Sequence, residues 1–545
     1  FVPTGGNPDD VDYEQKQMSG HWEETLEWGA TLNYEADTMP HALVRIDADN
    51  YWFGPLNDNR EDVAAYTGYD YNDGRESWVS RAAGDDNTNP FPSFINHKIN
   101  DIVFYKSRLG FLAGENMVLS ETDNPFSFFR TSVTQILATD RIDLQSSVNE
   151  ITLLNHAVPF SNQLLIFSNQ QQFILSYGDS GLNPQTAALS PITRYDCSPT
   201  AKPRALDNSV IFARSKGSSS DLMEMFNVGG NRNTFEARNL TSHAPSYVKG
   251  DITKIQTSSL AQCILVQTDE SITQEDFSAG PKLYVYKFFD INGERKQMSW
   301  SPYMFNHYVK NILGFFFVDD SCKILSEVRV DDSAALEEER YTFEDLRFDN
   351  TETLAYSLDS VVDDSECTMT GEVGAHTMGY APVNEWTLIQ VPYAIPTPDN
   401  YSGVIVADDG VTGSVLAAPL NDSDAKDVIK VNGDWSVESF SYGCSFNSEY
   451  EFSRQFLKKA SSMGQEVSVV DGRTTIRFAE VYLSNSQYMK IEVSYPDLNR
   501  DTTSKIFTGH TVGGAVIGDQ ADETGVLRIF VGAKNDLPTI KLISD

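Results

Sequence analysis

The sequence predicts a mainly β protein, with a β-propeller-like body, additional antiparallel β domains and little helix. Three observations carry that expectation. Four runs share one shape, a polar residue followed by a dense apolar or β-branched strand: Asn100–Tyr105, Asn162–Phe167, Asp207–Phe212 and Ala261–Val266. Strict apolar/polar alternation recurs further on, as in Thr475–Tyr482 and Met489–Val493, the mark of strands with one wet face. Only Arg454-Gln455-Phe456-Leu457-Lys458-Lys459 reads as a short helix.

A chain of 545 residues exceeds one hydrophobic core, and three or four domains are expected. Residues 1–85 read as an N-terminal β-rich segment with strand-like pieces at Leu43–Ile46 and Tyr51–Phe53. The chain opens Phe1-Val2-Pro3, with no initiator Met and no signal-like stretch, and is expected to continue a missing upstream region. Residues 86–340 read as the propeller-like body. Its run starts at 100, 162, 207 and 261 are spaced by 62, 45 and 54 residues, against about 40–50 for a four-stranded blade. Most runs are followed directly by a second strand, Leu109–Leu112, Gln172–Leu175 or Leu222–Phe226, and the last by Leu283–Tyr286 after a longer loop. Dense apolar runs suit strands buried on both faces, and a β-sandwich array is the structural alternative. Residues 341–470 read as an acidic inserted or projecting β region, and 471–545 as a C-terminal antiparallel segment.

Hydrophobic residues at 40% and aromatics at 11% can fill such cores. No apolar run approaches the roughly 20 residues of a membrane span. Leu313–Val318, bracketed by Lys310 and Asp319-Asp320, reads as a strand. The five cysteines include no C-x-x-C pair. They read as free thiols of a protein assembled in a reducing cytoplasm. The net charge of −37 argues against sequence-specific DNA binding, which needs Lys and Arg to displace counterions from phosphates. Such acidity serves solubility or salt adaptation, or else a surface along which DNA slides without sticking.

Candidate chemistry resolves into turns. Asp70–Gly74 lacks the ligand alternation and closing Glu of a calcium loop. Gly178-Asp179-Ser180-Gly181 matches text around a serine-protease nucleophile, but Leu182 departs from that pattern and no partner His motif precedes it. Adjacent acidic pairs, Asp319-Asp320, Asp331-Asp332 and Asp363-Asp364, along with Glu337-Glu338-Glu339, point to opposite faces of a strand and do not form shared acid/base sites. Histidines such as His97, His156, His243, His307 and His510 show no metal-ligand spacing. The tryptophans Trp22, Trp28, Trp52, Trp78, Trp300, Trp386 and Trp435 could stack on sugars but suit core packing better. The chain is therefore expected not to be an enzyme: no catalytic, cofactor-binding or metal residue is assigned, and no cofactor is expected.

Residues 86–130 carry a resemblance instead. Pro90-Phe91-Pro92, the strand Ile99–Tyr105, Leu109–Leu112, Gly114–Ser120 and the cluster Phe126, Phe128 and Phe129 resemble the nozzle proteins of short-tailed phages, also called tail tubular protein B. Similar phrases follow in the same order: Thr38–Arg45, Glu236–Tyr247, Leu283–Lys287, Gly293–Ser301, Gly472–Arg477 and Leu542–Asp545. They span residues 20–545, with 340–470 matching least. The resemblance implies a homohexameric ring with a β-propeller body, longer at both ends than this chain. It also implies attachment to the adaptor (gatekeeper) ring, anchoring of tail fibres, and a lumen through which genomic DNA passes non-specifically, gated by loops. Ser215–Asp221 and Asp408–Gly413 are candidate gates by composition. The alternative is a receptor-binding or glycan-degrading β-propeller tail protein, which needs clustered aromatics or carboxylates about 5–10 Å apart.

Overall fold

The computed structural model describes the chain apart from residues 1, 4–21, 46, 49, 57–77, 147, 149, 180, 229–233, 271–280, 292–293, 306–308, 329–339, 348–357, 374–375, 393–402, 408–411, 418–426, 437–438, 446–447, 461–465, 470–471, 487, 499, 509–522 and 545. It is mainly β. The helical elements among the described residues are two single 3-10 turns, Ala36–Thr38 and Asp364–Glu366. The chain divides into two units, Phe1–Phe305 and Asn306–Asp545.

The first unit repeats one motif, a four-stranded antiparallel meander, four times. Sheet I holds Ile99–Tyr105, Arg108–Ala113, Asn116–Leu119 and Ile142–Gln145. Sheet II holds Leu154–Phe160, Gln163–Ser168, Gln172–Ser176 and Ala188–Thr193. Sheet III holds Arg204–Leu206, Ser209–Ser215, Ser220–Asn227 and Phe235–Asn239. Sheet IV holds Ile252–Ser258, Cys263–Thr268, Lys282–Ile291 and Glu294–Met304. The first strands start at 99, 154, 204 and 252, spaced by 55, 50 and 48 residues. This repeat is more even than the run starts predict. The run at 100 is a first strand, whereas those at 162, 207 and 261 are second strands.

Alternating side chains on one strand pack against both neighbours. Leu164 and Ile166 join Val103, Leu112 and Leu119 between sheets I and II. Leu165 and Phe167 turn the other way, onto Val210 and Phe212 of sheet III. Ile211 and Ala213 then meet Ile264, Val266 and Tyr286 of sheet IV. This double burial, with a period of two, is why the runs are continuously apolar. The remaining face of sheet I is covered by aromatics. Phe111 stacks on Phe128 at 5.0 Å, Phe94 meets both edge-on, and Trp78 and Met39 close the cluster.

In the second unit Val309–Val318, Ser321–Val328 and Arg340–Arg347 form a three-stranded sheet. A seven-stranded sheet follows, around a core of Ile389, Ile405, Ile429, Val431 and Phe440. Near the C-terminal end, the ribbon Thr475–Ser486/Glu523–Lys534 shares a core with a four-stranded sheet through Leu483, Leu527, Val531, Ile491 and Val493. The expected helix at 454–459 is corrected. Residues 452–456 are irregular, and Leu457–Ala460 pairs antiparallel with Glu466–Val469. A segment this short cannot repay helix nucleation, and the neighbouring strand offers its backbone ready partners.

Candidate functional site

The sites with developed geometry lie at the seams between sheets of the first unit. Glu224 sits mid-strand in sheet III, buried, between Met223 and Met225. Its carboxylate accepts from Arg238 Nε at 2.7 Å, Arg295 Nη1 at 3.1 Å and Ser209 Oγ at 3.0 Å. Arg295 belongs to sheet IV, so the contact crosses the seam. It also donates Nε to Asp290 at 3.1 Å and lies 4.3 Å over the Phe288 ring. Burial works against the Arg295 charge, but Asp290 and Glu224 outweigh it and hold the guanidinium more firmly protonated than usual.

A second cluster joins three sheets along their first strands. Asp101 of sheet I accepts from Lys202 Nζ at 2.6 Å, just before sheet III, and from the Ala157 backbone N–H of sheet II at 2.9 Å. His156 is buried beside them and its Nε2 has no hydrogen-bond partner. Burial lowers its pKa below the ordinary imidazole value, with Asp101 opposing and Lys202 reinforcing the shift.

The candidate gate Ser215–Asp221 is a fastened hairpin. Asp221 is buried and pairs with Arg214 at 2.5 Å and Lys216 at 2.8 Å, while Thr241 Oγ1 donates to it at 3.0 Å. Burial raises the Asp221 pKa, but the hydrogen bonds from Lys216, Arg214 and Thr241 outweigh it and leave the carboxyl below its ordinary range. The tip is strapped to the next segment by Gly250 N–H to Ser218 O at 3.1 Å and Ser220 N–H to Val248 O at 3.0 Å. Of the other candidate gate, residues 408–411 lie outside the described residues, and Thr412 and Gly413 begin the strand Thr412–Ala417.

The remaining candidates are placed as follows. Gly178 and Gly181 close a turn through Gly181 N–H to Gly178 O at 3.1 Å, and Ser180 lies outside the described residues. So do Asp70–Gly74, Asp331-Asp332, Glu337–Glu339, His307 and His510. Asp319-Asp320 is the two-residue turn between Val318 and Ser321. His97 and His243 are exposed. Trp300 donates Nε1 to Leu240 O and Trp435 to Asn432 O, Trp386 lies under Lys430, and Trp28 is exposed. Cys197, Cys263, Cys322 and Cys367 form no disulfide, and burial pushes the Cys197 and Cys263 thiols up to about 12. Among the described residues no group of three or more His, Cys, Asp or Glu is placed to hold a metal ion, and no helix is long and apolar enough to cross a membrane.

Sequence reasoning passed over Glu224, although a lone carboxylate inside Leu222-Met223-Glu224-Met225-Phe226 was a signal. Its partners Arg238 and Arg295 fall in two of the phrases that carry the resemblance. The family model for the bacteriophage nozzle protein matches residues 10–545. The chain belongs to the bacteriophage nozzle protein family. Nozzle-family membership makes it a structural component of a podoviral virion tail. It is 28% identical over 516 residues to tail tubular protein gp12 of Escherichia phage T7, covering 94% of this chain and 58% of that protein. The chain thus spans less than two thirds of that relative's length. Among solved structures, Hsv2 of Kluyvelomyces marxianus aligns with 61% of this chain and 83% of its own at 6% identity and TM-score 0.27. The GH32 beta-fructofuranosidase BmSUC1 of Bombyx mori aligns with 64% and 90% at 10% identity and TM-score 0.23. At those scores neither likeness supports a conclusion.

Proposed function

We propose that this nozzle-family chain assembles as a homohexameric ring below the adaptor, enclosing and gating the channel through which DNA leaves the virion and helping to anchor tail fibres. The observation that carries this reading is the match of the nozzle family over nearly the whole chain. The four meanders support a propeller-like body: a stack cross-linked by Glu224–Arg295 and Asp101–Lys202 makes a stiff wall. Its role is mechanical, without a catalytic cycle or cofactor, and its subunits assemble in the host cytoplasm.

The net charge of −37 gives the channel its passivity. An acidic wall repels phosphates within a Debye length of roughly 8–10 Å and offers no anchors, so DNA moves past it without sequence preference. Because the Ser215–Asp221 hairpin is tied at both its base and its tip, gating falls to other loops. Cryo-EM of the virion tail tests the reading through copy number and the charge facing the lumen. Six copies around an acidic channel are expected. A monomer that stays single beside its adaptor ring, or a lumen lined by Lys and Arg, would refute it.

A further inference from the structure

Two sheet faces in the second unit direct apolar side chains outward. On the ribbon Thr475–Ser486/Glu523–Lys534 the outer rungs are Phe478 opposite Phe530, Glu480 opposite Arg528, and Tyr482 opposite Val526. Intervening residues such as Leu483, Leu527 and Val531 fill the core beneath. The outer face is ordered: the Phe478 and Phe530 rings lie 5.4 Å apart, Arg528 pairs with Glu480 at 3.0 Å, and its guanidinium sits 4.0 Å over Phe478. Tyr482 is nonetheless 77% and Phe530 51% exposed. The second face belongs to the three-stranded sheet, where Phe316, Val318, Leu325 and Phe343 are exposed and Lys323 pairs with Asp345.

Each face combines aromatics with paired carboxylates, in a chain whose net charge is −37. On the first, Lys505 also donates to Arg528 O at 3.1 Å and Arg477 lies 5.7 Å from the Phe478 ring; on the second, Lys310 pairs with Glu327 at 2.6 Å. Two copies of a chain with this net charge repel on approach, which favours contact through apolar faces whose carboxylates are paired. Area points the same way. At roughly 200 Å² per aromatic side chain, the exposed fractions of Phe478, Tyr482 and Phe530 amount to about 330 Å². Val526 and the polar rim extend this toward the roughly 800 Å² that each partner gives a stable interface. A closed ring also needs two unlike, complementary patches, because its contacts are head-to-tail rather than self-complementary.

We propose that the Phe478/Tyr482/Phe530 face of one copy docks on the Phe316/Leu325/Phe343 face of the next. The inference rests on the ring reading above and names its contact surface. The test uses the full chain with Tyr482→Asp, Phe343→Asp or Ser504→Asp, the last an exposed control on the neighbouring strand Thr503–Thr508. Assembly is followed by mass photometry and folding by circular dichroism. The expected result is assembly weakened by about 30-fold or more for the first two variants, the loss typical of an interface hot spot, with folding and the control unchanged. A chain with Tyr482→Cys mixed with a chain carrying Phe343→Cys should cross-link, while neither does so alone. Variants that assemble like wild type and give no mixed cross-link overturn this contact and leave the ring standing. Cross-links formed only to adaptor protein overturn it too. A wild-type chain that stays monomeric in the presence of its adaptor overturns the ring and this contact together.

Discussion

Replacing Arg295 by Met tests whether the seam between sheets III and IV depends on its ionic clamp. The guanidinium, whose side chain is 9% exposed, bonds both Glu224 and Asp290. Breaking a buried pair costs about 3–5 kcal/mol when the remaining charge is stranded. Here Glu224 keeps Arg238 and Ser209, which lowers that figure to about 2–3 kcal/mol, and loss of the Phe288 contact adds about 1. Arg295→Met should therefore cost about 3 kcal/mol. Glu224→Met should cost a similar amount, since it leaves Arg295 with Asp290 alone. The double variant should fall short of the summed losses by about 2 kcal/mol, because the two side chains act as one unit. Arg238→Met, at a side chain 50% exposed, should cost no more than about 1 kcal/mol. Urea unfolding of the intact chain, read by hydrogen exchange in peptides spanning 222–226 and 294–300, locates the effect at the seam. Additivity of the two single losses to within about 0.5 kcal/mol would refute the clamp.

Three other outcomes follow from buried positions of the first unit. The depressed Asp221 carboxyl contributes stability that is complete above the unfolded Asp value of about 3.9 and is lost as pH falls through the folded one. Asp221→Asn should cost about 2 kcal/mol at pH 7 and flatten the acid limb of a pH-dependent melting series. His156 is a base with a lowered pKa, so the unfolded chain binds its proton first. Stability is then complete above about pH 6.5 and declines below it until the folded value is passed, by at most about 1.4 kcal/mol per pH unit. His156→Phe should remove that decline, as melting temperatures at pH 7.5 and 5.5 would show. Gly110→Ala would place a Cβ 2.6 Å from Leu119 Cδ2 and 3.0 Å from Val103 Cγ1. It should cost about 1–3 kcal/mol by overpacking, measurable as a lower urea midpoint.

Much of this architecture was legible because burial on both faces leaves continuous apolar text. Gln163–Ser168 and Ser209–Ser215 each serve two cores, and both stood out as runs. The phase slip in sheet I has a physical source. Its second strand opens with Arg108 and contains Gly110, which thins the apolar signal. Its first strand shows Ile102 and Phe104, residues that read as core yet are exposed. The Lys106-Ser107 turn between these strands was silent as well. Both residues take positive φ, 48° and 58°, a conformation usually signalled by Gly or Asn. The ionic seams were harder to read, because Arg295 lies 71 residues from Glu224 in the chain and no local spacing records a contact between sheets.

The buried charges explain how so acidic a chain keeps irregular structure around sheet I. Arg81, Arg108 and Arg141 are buried and turn their guanidinium groups chiefly on backbone carbonyls. Arg81 reaches Thr31 O at 2.7 Å and Asn89 O at 3.2 Å. Arg108 reaches Ser120 O at 2.6 Å, Asp140 O at 2.7 Å and Ala138 O at 2.9 Å, and Arg141 reaches Phe128 O at 2.9 Å. A fork of fixed donors can satisfy carbonyls that a loop leaves without ladder partners, which a carboxylate cannot do. Among the described residues three carboxylates, Asp140, Asp221 and Glu224, are buried to a similar degree. These six charges cancel, so the net −37 is borne by the other residues of the chain. A net charge of that size opposes the approach of nucleic acid and of other copies of the chain alike. In the proposed ring, copies would meet at faces where charge is paired off, as it is on the Glu480–Arg528 and Lys323–Asp345 rungs. On the proposed ring, one distribution of charge would both let copies join at two apolar faces and keep DNA from adhering to the wall they build.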